Sequence, residues 1–200
     1  GHTARTVLAL ALYSTAIMLS KPKQAKNSYS EPPVSPATAR KIDEALAPWF
    51  ISNQRELAFR KTRDAYAVMV AEFMLQQTTV STVEGYFPRF MARFPNVHSL
   101  AEASEEAVLA QWAGLGYYRR ARQLHAAAKA IVTTYSGTIP ANVDQLRSLP
   151  GIGRYTAGAI ASTAYDLPAP ILEANTIRVF ARLAGLDGVI GETAFTNALW

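Results

Sequence analysis

The segment LPGIGRYTAGAI, residues 149–160, carries the most specific local pattern of the chain. Pro150 and the two glycines, Gly151 and Gly153, predict a tight turn with a bare backbone, and the alanine-rich segment after them predicts a helix. Backbone N–H groups at the start of such a helix, with the positive end of its dipole, favour a phosphate oxygen. The residues alone leave two interpretations open: a cradle for a nucleic-acid phosphate, and an ordinary corner between two helices that uses glycine for packing.

Composition limits the class of protein. The 200 residues are 50% hydrophobic and 18% charged, which predicts one or two folded domains with a proper core. A net charge of +5 permits an anionic partner without requiring one. The chain has no cysteine and only three widely spaced histidines, so neither a disulfide framework nor a Cys/His metal site is expected within these residues.

Residues 1–38 are predicted to be an extension or a disordered linker. The apolar run at 6–19 has two interpretations, an export signal or membrane anchor and an upstream extension or poorly packed helix; its short length favours the second. Residues 20–38 are rich in Pro, Ser and Lys, so the folded part is expected to begin near Ala39. Because the chain starts with Gly1 and ends inside a predicted helix, we expect it to be a fragment.

A lone carboxylate marks the most apolar segment of the chain. Residues 65–82 are apolar on most sides and predict one buried helix of about five turns. Glu72 in its middle is either an exposed side chain on a polar stripe or a carboxyl group in a functional cleft, whose pKa burial would raise. Gln76 and Gln77 are expected to extend the polar strip toward the end of this helix.

The segment GLGYYRRAR, residues 114–122, breaks and restarts a helix. Arginines suit phosphate groups and tyrosines suit stacking on bases, which favours nucleic acid. Structural tyrosines with solvated arginines explain the same residues equally well. No alternating strand pattern occurs along the chain, so the predicted fold class is all-α.

Three of these segments together resemble the helix–hairpin–helix DNA glycosylases, and among them the adenine glycosylases. The resemblance is carried by EFMLQQT at 72–78, GLGYY at 114–118 and LPGIGRYTAGA at 149–159, in the family's order and spacing. It implies a six-helix barrel over 65–168, with the helix–hairpin–helix at about 143–165. It also implies a second, truncated helical subdomain made of 39–64 and 169–200.

The resemblance implies a base-excision repair enzyme that hydrolyses the bond between adenine and its sugar, opposite 8-oxoguanine or guanine in duplex DNA. Glu72 aligns with the acid that protonates adenine, which is a poor leaving group until N7 takes a proton. The adenosine must first flip out of the duplex, because the acid cannot reach N7 inside the stack.

A second carboxylate departs from the family's pattern. Glu173-Ala174-Asn175-Thr176 stands where the family has Asp-Gly-Asn-Val, whose aspartate stabilises the cation-like sugar left when adenine departs. Glu173 and Asn175 are therefore assigned to catalysis. The extra methylene of Glu173 predicts reduced activity, since a misplacement of about 1 Å can cost about 10²-fold in rate. Ala174 is expected to add strain if its φ is positive.

The remaining site residues also follow from the resemblance. Tyr155 stands where relatives that cut the strand carry a lysine, which predicts a monofunctional glycosylase. Arg55 and Arg60 match the lining of the adenine pocket, although the family's Leu-Pro-Trp-Arg is here LAFR at 57–60. The expected DNA-binding residues, which either wedge into the duplex or hold its backbone at the hairpin, are Gln76, Gln77, Thr78, Tyr117, Gly151, Gly153 and Arg154.

The cofactor and partner expectations also come from the family. A [4Fe-4S] cluster and a domain that recognises 8-oxoguanine are expected downstream of these residues, and a monovalent cation at the hairpin loop. The expected partner is duplex DNA with an adenine mispair, bound by a monomer in the cytoplasm or nucleoid. The competing hypotheses are a lesion-binding homologue with little or no turnover, a glycosylase-lyase like endonuclease III, and a membrane-tethered helical protein.

Overall fold

The structure is a computed structural model that describes residues 34–183, 185 and 192–199. All regular structure within these ranges is helical, which confirms the all-α prediction. The apolar run at 6–19 and the linker up to residue 33 lie outside the described residues. No helix in the described ranges is long and apolar enough to cross a membrane.

The described residues form ten α-helices in two compact units, one spanning 55–167 and the other combining the chain before 55 with the chain after 167. The helices are α1 (Pro36–Asn53), α2 (Ala65–Leu75), α3 (Val80–Arg93), α4 (Val97–Ala101), α5 (Glu105–Trp112), α6 (Arg119–Tyr135), α7 (Val143–Arg147), α8 (Arg154–Tyr165), α9 (Ala174–Leu183) and α10 (Thr193–Leu199). A 3₁₀ turn, Ala58–Arg60, precedes α2.

Helix α2 is the centre of the larger unit. It is apolar on nearly all sides, and Met69, Val70 and Phe73 are fully buried, as expected for a helix enclosed by others. It packs against α3, α6, α8 and the 3₁₀ turn. Asp64 starts it by accepting a hydrogen bond from the N–H of Ala67 at 2.8 Å. The surroundings of any side chain on α2 are therefore set by four neighbouring elements.

The prediction of one continuous helix over residues 65–82 is wrong. α2 ends at Leu75, and Gln77 adopts a left-handed conformation with φ of 54°, which an α-helix cannot contain. A new helix, α3, then starts with Thr79 as its N-cap. The break places residues 76–78 on a turn, and little in the sequence indicated it because residues 65–82 contain neither glycine nor proline.

Several predicted boundaries also shift. α1 begins at Pro36 rather than near Ala39, because Ser35 caps it through the N–H of Thr38 and proline is favourable in the first turn. Residues 55–64, grouped by resemblance with the second subdomain, fall in the larger unit because the 3₁₀ turn packs on α2 and α3.

The smaller unit has its own apolar cluster. Leu172 and Ile177 are buried, and Phe180 and Phe195 pack against them, which joins α9 to α10. α9 starts at Ala174, and the segment 168–173 before it has no regular structure and holds Pro168 and Pro170.

Candidate functional site

Glu72 is the one acidic residue of α2, and it is partly buried between Ala71 and Phe73, which are both buried. Burial raises the pKa of the Glu72 carboxyl to about 7, while the positive charge of Arg60 acts in the opposite direction. The interpretation of Glu72 as an exposed residue on a polar stripe is therefore wrong. At neutral pH this group is present both as an acid and as a carboxylate.

The Arg60 guanidinium interacts electrostatically with Glu72, Arg55 and Tyr155. Burial lowers the pKa of the Arg60 guanidinium, and the charge of Arg55 lowers it further, whereas Glu72 and Tyr155 raise it. The 3₁₀ turn supplies Arg60, the segment before it supplies Arg55, and α8 supplies Tyr155. The larger unit thus brings together four of the predicted site residues: Arg55, Arg60, Glu72 and Tyr155.

Two turns of the larger unit present the residues expected to enter DNA. Gln77 is exposed on the turn after α2, and Tyr117, on the turn before α6, is 61% exposed. Tyr117 has a φ of 47° and Gln77 one of 54°, both rare for residues other than glycine. Backbone in this region is strained and is typical of functional sites. Gln76 and Thr78 on the first turn are partly buried, and the Thr78 hydroxyl donates to the carbonyl of Gln76.

The hairpin at residues 149–153 joins α7 to α8. Asn142 caps α7 by accepting from the N–H groups of Asp144 and Gln145. Gly153 is the N-cap of α8, and no side chain makes a cap hydrogen bond there. A Cβ on Gly153 would meet nothing within 4 Å, so this position is open to a close approach from outside.

Gly151, by contrast, is required by the fold. Its φ is 74°, and an added Cβ would lie 2.7 Å from the Cβ of Gln123 and 2.8 Å from the ring of Phe73. Strain and overpacking together predict that Gly151→Ala lowers the free energy of unfolding by about 2–4 kcal/mol. Denaturant unfolding measures this value.

The matched control is Gly85→Ala, in the middle of α3, where a Cβ meets nothing within 4 Å. We expect this variant to be more stable than the wild type by about 0.5–1 kcal/mol, because alanine is the better helix former. Equal stability of the Gly151→Ala and Gly85→Ala proteins would contradict the steric account of the hairpin.

In the smaller unit, Glu173 caps its own helix. Its Oε1 accepts from the N–H groups of Asn175 at 3.0 Å and Thr176 at 3.1 Å, and its Oε2 accepts from the Asn175 side-chain amide at 3.4 Å. Arg178 donates to the Asn175 side-chain oxygen at 2.6 Å. Ala174 is in the first turn of α9 and is not among the described residues with positive φ, so the strain considered for it does not arise.

The described ranges contain no group of three or more His, Asp or Glu side chains that could hold a metal ion. With no cysteine in the sequence, the chain does not supply thiolate ligands for the iron–sulfur cluster that the resemblance implies. The cluster and the cation at the hairpin stay predictions.

Sequence reasoning missed Arg120. It was grouped with Arg119 and Arg122 as suited to phosphate, but it is only 5% exposed, and its guanidinium donates to carbonyls of both turns. A signal was present in the sequence: Arg120 falls at helical spacing with Leu124 and Ile131 on the buried face of α6.

Comparison with known proteins gives the chain a family. Residues 70–200 match the model of the HhH-GPD superfamily base excision DNA repair protein. The chain is 40% identical over 160 residues to the adenine DNA glycosylase of Buchnera aphidicola from Schizaphis graminum, covering 80% of this chain and 46% of that protein. It is 38% identical to the rat adenine DNA glycosylase, covering 89% of this chain and 38% of the rat protein. The chain thus spans less than half the length of these relatives.

Solved structures agree on the fold. A thermostable thymine-DNA glycosylase aligns with a TM-score of 0.66 at 24% identity, covering 76% of this chain and 72% of that one. A trapped endonuclease III–DNA covalent intermediate aligns with a TM-score of 0.68 at 23% identity, covering 83% and 77%. The all-helical architecture and the family match lead to one conclusion: the chain belongs to the HhH-GPD superfamily of base excision DNA repair proteins.

Proposed function

We propose that the protein is an adenine DNA glycosylase, which hydrolyses the bond between adenine and deoxyribose in mispaired duplex DNA. The observation that carries the proposal is the carboxyl group of Glu72, whose pKa burial raises to about 7. The similarity to curated adenine DNA glycosylases supports the same activity. The proposed preferred mispair, adenine opposite 8-oxoguanine, rests on the sequence resemblance.

Glu72 acts as the general acid. Its proton goes to N7 of the flipped adenine, and the glycosidic electron pair leaves with the base. A water oxygen then bonds to C1′ of the sugar, and the proton that this water loses passes to the solvent. A carboxyl group with a pKa near the working pH suits this step, because it is protonated often enough and still gives up its proton. Arg60 supports the second half of the exchange, since its positive charge stabilises the Glu72 carboxylate that remains.

Glu173 is proposed to supply the negative charge that stabilises the cation-like sugar, with Asn175 beside it. The hydrogen bonds within 173–176 hold this carboxylate in one orientation at the start of α9. The same bonds favour a second candidate function, in which the carboxylate is held too firmly to its own helix and the protein binds lesions with little turnover. Base release under single-turnover conditions distinguishes the two functions.

Contacts with DNA are proposed for the two turns and the hairpin. Gln76 and Tyr117 enter the duplex, with Gln77 and Thr78 beside them. At the hairpin, Gly151 and Gly153 offer backbone amides to the DNA phosphates, and Arg154 offers its guanidinium. These contacts are made with or without a monovalent cation. The exposure of Tyr117 and the open space around Gly153 support these roles.

Strand cleavage is not part of the proposed reaction. Tyr155 has no amine to form an imine with the opened sugar, so a glycosylase that stops at an abasic site is expected. We also propose that the protein works as a monomer associated with intracellular DNA, and that the full protein carries an iron–sulfur cluster.

The pH dependence of adenine release tests the proposed acid. Glu72 must be protonated to act, and its pKa is about 7, so the single-turnover rate is expected to be constant well below pH 7 and to fall about tenfold per pH unit above it. Free adenine is measured by chromatography after mixing excess protein with an 8-oxoguanine:adenine duplex.

DNA affinity at each pH is the control, measured by fluorescence anisotropy on the same duplex. We expect the rate of adenine release to fall at pH values at which the duplex is still fully bound by the protein. A rate of adenine release that stays level from about pH 6 to about pH 9, a range that includes the Glu72 pKa of about 7, would contradict the role of Glu72.

A further inference from the structure

A buried guanidinium joins the two turns that carry the proposed DNA-entering residues. One terminal nitrogen of Arg120 donates to the carbonyls of Phe73 at 3.1 Å and Met74 at 2.8 Å, and also to the carbonyl of Gln76. The other terminal nitrogen donates to the carbonyls of Leu115 and Gly116, each at 3.2 Å. Five carbonyls from two segments far apart in sequence therefore share one side chain.

Two aromatic rings contact the same guanidinium. Its central carbon lies 5.5 Å from the ring centre of Trp112 and 5.4 Å from that of Tyr117. Trp112 is fully buried, and its indole N–H donates to the carbonyl of Gly116 at 3.1 Å. The ring of Tyr117 is thus supported on its inner side, while the residue as a whole stays largely exposed.

Both turns need this support, because their backbones are strained. Gln77 and Tyr117 have φ of 54° and 47°, which residues other than glycine rarely adopt. Such conformations persist only where surrounding contacts hold them. In both turns these contacts include the hydrogen bonds from Arg120 to the preceding carbonyls.

We propose that Arg120 is a positioning residue that fixes the turn of Gln76 and the turn of Tyr117 as one rigid element, so that both side chains meet the duplex in register. The inference rests on the proposed function, in which these two side chains enter DNA. Arg120 itself touches no nucleotide in this role, since it is buried beneath the turns it holds.

Arginine is specifically required for this role. Its planar group offers several N–H donors in a fixed fork and lies over two aromatic rings, whereas lysine has one ammonium with three donors and no flat face. Arg120→Lys keeps the positive charge and removes the fork. Arg120→Gln keeps a planar group and removes the charge, and it serves as the second variant if the first does not fold.

The experiment compares both variants with Arg93→Lys, a matched control. Arg93 is exposed and also lies over a ring, with its guanidinium carbon 5.0 Å from the ring centre of Phe94. Three quantities are measured on each protein: amide hydrogen exchange along the chain, affinity for an 8-oxoguanine:adenine duplex, and the fluorescence rise when 2-aminopurine replaces the target adenine and is unstacked.

We expect Arg120→Lys to speed exchange in both turns, at 76–78 and 115–118, and to leave the hairpin at 150–155 unchanged. The rate of 2-aminopurine unstacking is expected to fall about 10- to 100-fold, because a shift of about 1 Å in positioning has effects of this size. Affinity is expected to stay within about threefold, because the variant leaves the proposed phosphate contacts at the hairpin in place and phosphate contacts supply a large share of the affinity for DNA. Arg93→Lys should match the wild type in all three measurements.

Faster exchange in only one turn, or equally in every helix, would overturn the inference, and so would normal unstacking by a folded Arg120→Lys protein. Failure of both variants to fold would assign Arg120 a general packing role and overturn it as well. Wild-type protein that unstacks 2-aminopurine but releases no adenine would refute the proposed function alone. Wild-type protein that does not unstack the base would refute both.

Discussion

The Glu72→Gln protein is expected to bind mispaired duplex DNA with the wild-type affinity and to release adenine about 10²- to 10⁴-fold more slowly, the range measured for loss of a general acid. Glutamine has nearly the shape of glutamic acid but no acidic proton to give to N7. Single-turnover release at about pH 6, below the Glu72 pKa of about 7, gives the largest contrast. Glu84→Gln, an exposed change on α3, is the matched control and should leave the rate unchanged.

The same variant is expected to be more stable than the wild type above pH 7. The pKa of Glu72 rises from 4.5 to about 7 on folding, so the folded state binds more protons between these values and loses stability as the pH rises through them. Removing the ionisable group removes this cost, a gain of about 1–3 kcal/mol in the free energy of unfolding at pH 8. Slower adenine release together with lower stability would indicate damage to the fold instead of loss of an acid.

Glu173→Asp is expected to raise the single-turnover rate of adenine release by about 10- to 100-fold. Aspartate is at least as good an N-cap as glutamate, so it retains the hydrogen bonds to the N–H groups at the start of α9. The change also restores the aspartate of the Asp-Gly-Asn-Val pattern that this segment resembles. Adenine release by wild-type and variant protein on the same duplex measures the change.

Glu173→Gln is the matched control for this prediction. Its side-chain oxygen still accepts from the N–H groups of Asn175 and Thr176, but the negative charge is gone, so release should fall below the wild-type rate. Equal rates for the Asp and Gln variants would mean that the charge at residue 173 does not act on the sugar. That outcome would favour the lesion-binding function.

The hairpin and the fold class could be predicted from the sequence because they depend on local patterns. Pro150 and Gly151 specify the turn between α7 and α8 by backbone chemistry alone, and Asn142 specifies the start of α7 by its side chain. The absence of alternating apolar residues was enough to predict an all-helical chain. The three motifs then identified the family.

The break after Leu75 and the role of Arg120 could not be predicted in the same way. Gln77 shows no local preference for positive φ, and the turn it forms depends on an arginine 43 positions later in the sequence. Because Arg120 stands among other arginines, it is easily taken for an exposed residue. Only its helical spacing with Leu124 and Ile131 indicates that it is buried. Likewise, nothing local indicated that the Glu173 side chain caps its own helix.

Product analysis tests the proposed reaction, in which Glu72 is the acid and the bond between adenine and deoxyribose in a mispair is hydrolysed. Excess protein is mixed with a duplex holding one adenine opposite 8-oxoguanine, and free adenine, alkali-labile abasic sites and borohydride-trapped adducts are counted. We predict one free adenine and one abasic site per duplex, with no trapped adduct. Tight binding with no free adenine, or a covalent adduct with the DNA, would contradict the account.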